Sequence, residues 1–141
     1  MLPQPINLKQ MGFYSTFEEM LSRKHPLFIL ANKINWQLFE DAFKELYCAN
    51  NGRPAKPIRL MVSLLMLKHI RNLSDESVVE QWSENGYYQY FSGERSFVAH
   101  RPCEASELVH FRKRIGEEGI ELIFKESIRI ISVALRQYAV L

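Results

Sequence analysis

PIRLMVSLLMLKHIRNLSDESVVEQW, residues 57–82, is the stretch on which the fold turns. Ile58, Leu60, Met61, Val62, Leu64, Leu65, Met66, Leu67 and Ile70 are apolar nearly all round a helix that Pro57 opens in its first turn. Such a helix has to be central or lie in a subunit interface. Asn72 and Leu73 make a tight link to Ser74, which caps a following helix with Asp75 and Glu76 in its first turn, where the helix dipole favours acids. Val78, Val79 and Trp82 face inward. Helix, short turn and helix over Lys68–Trp82 have the spacing of a helix-turn-helix motif, a joint that antiparallel helical bundles also use.

Working outward, periodicity finds helices and no strand pattern. Upstream, Ser15 and Thr16 with Glu18 and Glu19 offer a capping box for a first helix that Pro26 should end or kink, and Leu27–Lys33 reads as a short second helix. Asn35 caps a third, with Trp36, Phe39, Phe43, Leu46 and Tyr47 inside and Glu40, Asp41, Lys44 and Glu45 outside; Asn50, Asn51 and Gly52 stop it. Downstream, Gly86 ends the helix begun at Ser74, and Tyr87, Tyr88, Tyr90 and Phe91 form an aromatic knot ahead of Gly93, with Tyr88 and Phe91 as core. An irregular link leads to a helix capped by Ser106 and seated by Leu108, Phe111 and Ile115. Gly116 closes it, and a final helix runs from Glu117 through Ile120, Ile123, Phe124, Ile128, Ile131 and Leu135. The expected fold is all-α: one compact domain over 1–141, its core about 15–125, with about six or seven helices, a helix-turn-helix-like portion and a long C-terminal helix.

Composition sets the outer bounds. A chain of 141 residues, 47% apolar and 12% aromatic, fills one core and not two ordinary domains. Cys48 and Cys103 lie far apart, no signal peptide precedes them, and no apolar run approaches the roughly 20 residues that span a bilayer. A reducing, cytoplasmic setting without membrane contact follows as the expectation.

The net charge of +2 conceals segments of opposite sign. Residues 51–72 hold Arg53, Lys56, Arg59, Lys68 and Arg71 with no acid, whereas 73–95 set Asp75, Glu76, Glu80, Glu84 and Glu94 against Arg95 alone. From 96 to 116, Arg101, Arg112, Lys113 and Arg114 face Glu104 and Glu107. Two basic blocks of this kind form either a phosphate-facing surface or a set of neutralised, solvated faces. On the helix that begins near Ser106, the spacing turns His110, Lys113 and Arg114 outward and sets Arg112 beside the buried stripe, paired inside or snorkelling. This is the candidate recognition helix; the competing reading is that its cations complement the negative end of the helix dipole.

Other chemistry finds little support. His100 and Cys103 have a metal-like spacing, but no second ligand pair follows, so no metal site is expected. No glycine-rich phosphate loop, nucleophile elbow or redox cysteine pair occurs, and no cofactor is expected.

The order HPLFILANKINW, then GRPAKPIRLMVSLLMLKHIRNLSDESVVEQWSENGYYQYFSGE, then SELVHFRKRIGEEG resembles the N-terminal domain of bacterial insertion-sequence DDE transposases of the IS-five group, over about residues 15 to 125. Pro26, Trp36, Gly52, Arg53, Leu73, Ser74, Tyr90, Phe91, Gly93, Leu108, Phe111, Arg112, Lys113, Arg114 and Gly116 match its pattern. Gly86 and Tyr88 stand where Pro and Trp are expected, and Glu104 where Asp is usual. In that family the helical domain precedes a catalytic domain of ribonuclease-H type, and the whole protein binds the terminal inverted repeats of its element and moves it. The resemblance implies double-stranded DNA as partner in the cytoplasm, on the nucleoid. Arg112, Lys113, Arg114 and His110 would then contact DNA from the recognition helix while Arg53, Lys56 and Arg59 hold phosphates on a flank. A DDE enzyme needs three converging carboxylates, and the only aspartates are Asp41, on a solvated helical face, and Asp75, at a helix start. With Ile120–Leu141 reading as one more helix, no catalytic residue is expected and the chain is not an enzyme by itself. The alternative function is an oligomerisation module: Leu60–Ile70 and the final helix would pair between subunits, with a second copy or full-length transposase as partner and no sequence-specific DNA contact.

Overall fold

The computed structural model describes residues 15–48 and 56–139 of the protein; Asn50–Gly52, Arg53 and the side chains of Tyr47 and Leu135, all read above, lie outside the described residues. Seven helices and no strand occur among them: α1 (Phe17–Met20), α2 (Pro26–Lys33), α3 (Trp36–Cys48), α4 (Ile58–Arg71), α5 (Asp75–Trp82), α6 (Gly86–Phe91) and α7 (Ala105–Ala139). The all-α expectation holds. Every residue of α4 from Leu60 to Leu67 is buried, and α3, α5 and α7 pack around it while α2 lies on α6. An apolar surface on all sides of a helix is stable only where other helices cover all sides, which is why α4 occupies the centre.

Local chemistry explains the helix boundaries. Asn35 Oδ1 accepts from the Leu38 N–H at 3.3 Å, Ser74 Oγ from the Ser77 N–H at 3.1 Å, and both helices start where expected. Asn72 closes α4 in the left-handed conformation at φ 54°, ψ 57°, and the Lys68 carbonyl accepts from both Asn72 and Leu73 N–H groups. Three boundaries upstream of the irregular link differ from the sequence reading. α1 follows Thr16, whose side chain makes no cap bond, and is one turn long, with the Phe17 N–H donating to the Arg95 carbonyl at 2.8 Å. Pro26 opens α2 instead of ending α1, because His25 Nδ1 caps the new helix by accepting from the Leu27 N–H. Gly86 likewise begins a helix: Asn85 Oδ1 accepts from the Tyr87 and Tyr88 N–H groups, and the aromatic knot is α6 itself. Tyr88 and Phe91 are core, as read.

A polar seam runs through this core. Trp82 Nε1 donates to Ser92 Oγ at 2.9 Å, and the Ser63 and Ser92 hydroxyls lie 2.8 Å apart. Fully buried Gln89 donates to the Trp82 and Val98 carbonyls and accepts from the Val98 N–H, fastening the irregular link 92–104 to α6. Among the described residues no buried side-chain polar atom lacks a partner.

Ser106 is not the cap of α7. The helix starts at Ala105, and the Glu107 carboxylate reaches back to accept from the Glu104 N–H at 2.7 Å, the return half of a capping box. Gly116 breaks α7 at φ 67°, ψ −173°, a conformation open in practice to glycine alone. Two helical halves result, 105–115 and 117–139.

Candidate nucleic-acid interface

The first half of α7 is fixed before it is charged. Leu108, Phe111 and Ile115 are buried on one side, which leaves His110, Lys113 and Arg114 exposed on the other, as their spacing dictates. Arg112 lies between the two faces, half-buried. Its guanidinium donates two parallel bonds of 2.7 Å, Nη1 to Oδ1 and Nη2 to Oδ2 of Asp75, at the start of α5. Lys68, at the end of α4, donates to the same Oδ1 at 3.0 Å. One carboxylate therefore ties α4, α5 and α7 together at the corner formed by the turn 72–74. The Arg112 bonds, helped by Lys68 and opposed by partial burial, hold the Asp75 carboxyl well below its ordinary range, at about 2. The same bonds raise the Arg112 guanidinium.

The flanking cations are placed differently. Lys56 is exposed just ahead of α4. Arg59 is half-buried, with its guanidinium carbon 4.4 Å from the centroid of the Trp36 ring, and donates long bonds of 3.4 Å to the Phe91 carbonyl. The structure gives Arg112, Arg59 and Arg114 intramolecular interactions, and places His110, Lys113, Arg114 and Lys56 at the surface. Arg53 lies outside the described residues.

Sequence reasoning missed the Asp75 hub. It read Asp75 as a helix-start acid and Lys68 as one of a basic block. The available signal was Arg112 itself, a cation beside a buried stripe that needed an anion within reach. His100 Nδ1 lies 2.9 Å from the Arg101 carbonyl, and Cys103 is buried, its thiol pushed up to about 12 chiefly by burial and next by Glu107. Among the described residues no group of three His, Cys, Asp or Glu side chains is placed to hold a metal ion. None of their helices is long and apolar enough to cross a membrane.

The described residues form a small all-α domain whose short α4–α5 corner is latched to a cation-bearing helix. Comparison with known proteins places it further: the chain belongs to a transposase domain family (DUF772), whose model matches residues 15–114. It is 41% identical over 125 residues to a protein of Rhizobium meliloti described as uncharacterized protein ORF8 in the nfe locus; the match takes in 89% of this chain and 60% of that protein. No solved structure matches. The role is therefore transposase-related.

Proposed function

We propose that this chain is the DNA-binding N-terminal module of an insertion-sequence transposase and recognises the element's terminal inverted repeats without cutting DNA itself. Membership of the transposase domain family sets the context. The observation that carries the reading is the bidentate Arg112–Asp75 latch, which, added to the burial of Leu108, Phe111 and Ile115, ties 105–115 to the α4–α5 corner with His110, Lys113 and Arg114 on its outer face. Pre-fixed donors lose less entropy on meeting a phosphate or base edge. In this reading Lys113, Arg114 and His110 contact DNA, Lys56 with Arg53 and Arg59 holds phosphates on a flank, and Arg112 acts mainly by positioning. A second reading, assembly between subunits, is favoured by apolar side chains exposed on 117–139 and is developed in the next subsection.

Fluorescence anisotropy with duplexes carrying the terminal repeats that flank this reading frame, against scrambled duplexes at two salt concentrations, tests the proposal. Preference for the repeat is the expected result. Lys113→Ala should weaken all duplexes alike and flatten the salt dependence; a change of Arg114→Ala that relaxes sequence choice by about 1 to 3 kcal/mol would mark a base contact. Parent-like binding by both variants would remove this helix from the interface.

A further inference from the structure

The second half of α7 buries only one of its two apolar rows. Ile123, Glu126 and Ile130 face the core, with Glu126 accepting from the Arg129 guanidinium and from the Asn35 N–H. On the other row Ile120, Phe124, Ile128 and Ile131 are 39%, 56%, 50% and 37% exposed. Their spacing, i, i+4, i+8 and i+11, aligns them in one stripe along the helix. Beside the stripe runs a groove of about 310 Å³, walled by Leu65, His69 and Ile70 of α4 and by Ile123, Phe124 and Ile128 of α7. Four large apolar side chains in a row beside an apolar groove are the composition of a contact face, not of a solvated one.

Charge along the helix says what covers that face. Glu117, Glu118 and Glu121 cluster at its upstream end, and Arg129 and Arg136 stand exposed downstream, while Lys125 between them bridges back to Glu121 at 3.1 Å. Two copies laid parallel would set acid against acid and base against base. Laid antiparallel, crossing between Phe124 and Ile128, each acidic end meets the other's basic end, and a two-fold axis satisfies both contacts at once. At 100° per residue Glu117 falls within the arc of the stripe, Glu121 at its edge turned away from the core, and Arg136 further round on that same side, within reach of a long side chain.

We propose that this stripe is the contact face of an antiparallel, two-fold dimer with a second copy of this chain, each Phe124 seated in the other copy's groove and each Glu117 beside the other's Arg136. The inference does not depend on the DNA-binding reading.

The test is sedimentation equilibrium of the whole chain across the micromolar range, with far-UV circular dichroism as a control for folding. The expected species has twice the 16.6 kDa chain mass. Phe124→Glu should keep the helical signal and raise the dissociation constant on the order of 100-fold, as removal of a central aromatic anchor does. Should that variant not fold, Ile128→Ser, at an already exposed position, carries the same test. Glu117→Arg and Arg136→Glu should each weaken the dimer by a few-fold, roughly the scale of exposed charge pairs, and the two together should restore it. A monomer or a higher oligomer for the parent chain overturns the proposal. So does a dimer indifferent to these apolar substitutions, or a double charge swap no better than the single ones.

Discussion

Replacing Asp75 by Asn removes one charge from the junction of three helices and keeps its shape. The carboxylate is 19% exposed and receives Arg112 through two bonds of 2.7 Å and Lys68 through one of 3.0 Å. Its folded pKa of about 2 lies below the ordinary 3.8, so the fold favours the ionised form. That depression corresponds to about 2 kcal/mol of stability, at roughly 1.4 kcal/mol per pKa unit. Because the folded pKa is the lower one, the contribution is complete above the unfolded value and is lost as pH falls through the folded one. About half of it should remain at pH 3 and little at pH 2. Asn imitates the protonated acid, so Asp75→Asn should cost about 2 kcal/mol at pH 7, and the gap from the parent should close as the parent itself loses the charge.

Urea unfolding followed by far-UV circular dichroism at pH 7, 5 and 3 measures both numbers, provided the two proteins share an m-value. A gap below about 0.5 kcal/mol at pH 7 would show that the latch is an ordinary surface pair. A gap independent of pH would show that the loss came from packing and not from charge. Either result would also weaken the argument that Arg112 ties the helix carrying Lys113 and Arg114 to the α4–α5 corner.

Two further outcomes follow from the same geometry. Gly116→Ala should destabilise by about 1 to 3 kcal/mol through backbone strain alone, since a Cβ there meets no atom within 4 Å; thermal unfolding reads the loss, and a neutral result would mean that the break is not needed. The Cys103 thiol, buried and raised to about 12, should resist modification by a disulfide reagent at pH 8 in the native protein and react at once in denaturant; rapid native labelling would place it at the surface.

Much of the fold was legible because it rests on local signals. Asn35 and Ser74 cap the helices they were read to cap, and the all-round apolar character of Leu60–Leu67 demanded a central helix. The aromatic knot was read correctly as core at Tyr88 and Phe91, but its helical form was missed for a physical reason: glycine at position 86 is a stop signal in most contexts, and α6 has only six residues, too few for periodicity to speak. Pairings distant in sequence were out of reach. Arg112 and Asp75 are 37 residues apart, and nothing local distinguishes Asp75 from Glu76 as the hub. The final helix shows the same limit, since its sequence displays two apolar rows, 123/130 and 120/124/128/131, and only packing decides which is buried.

The break at Gly116 gives these two faces a common frame. Upstream of it the helix is latched to the α4–α5 corner and carries the exposed cations; downstream it carries the apolar stripe. If copies cross near Phe124 and Ile128, each Gly116 sits about ten residues from the crossing, about 15 Å at 1.5 Å per residue, so the two breaks from which the basic segments start stand about 30 Å apart. That separation is close to one turn of B-DNA, the spacing at which two-fold proteins read successive half-sites on one side of a duplex. Assembly and DNA binding then reinforce one another, since the second contact becomes intramolecular once the first is made. Phe124→Glu, in the helical half beyond Gly116 from Lys113 and Arg114, should therefore weaken binding to a duplex with two repeats one turn apart by at least tenfold and leave binding to a single repeat unchanged. Equal losses on both duplexes would mean that the substitution damages the domain itself. No loss on either would mean that each module reads DNA alone, whatever its oligomeric state.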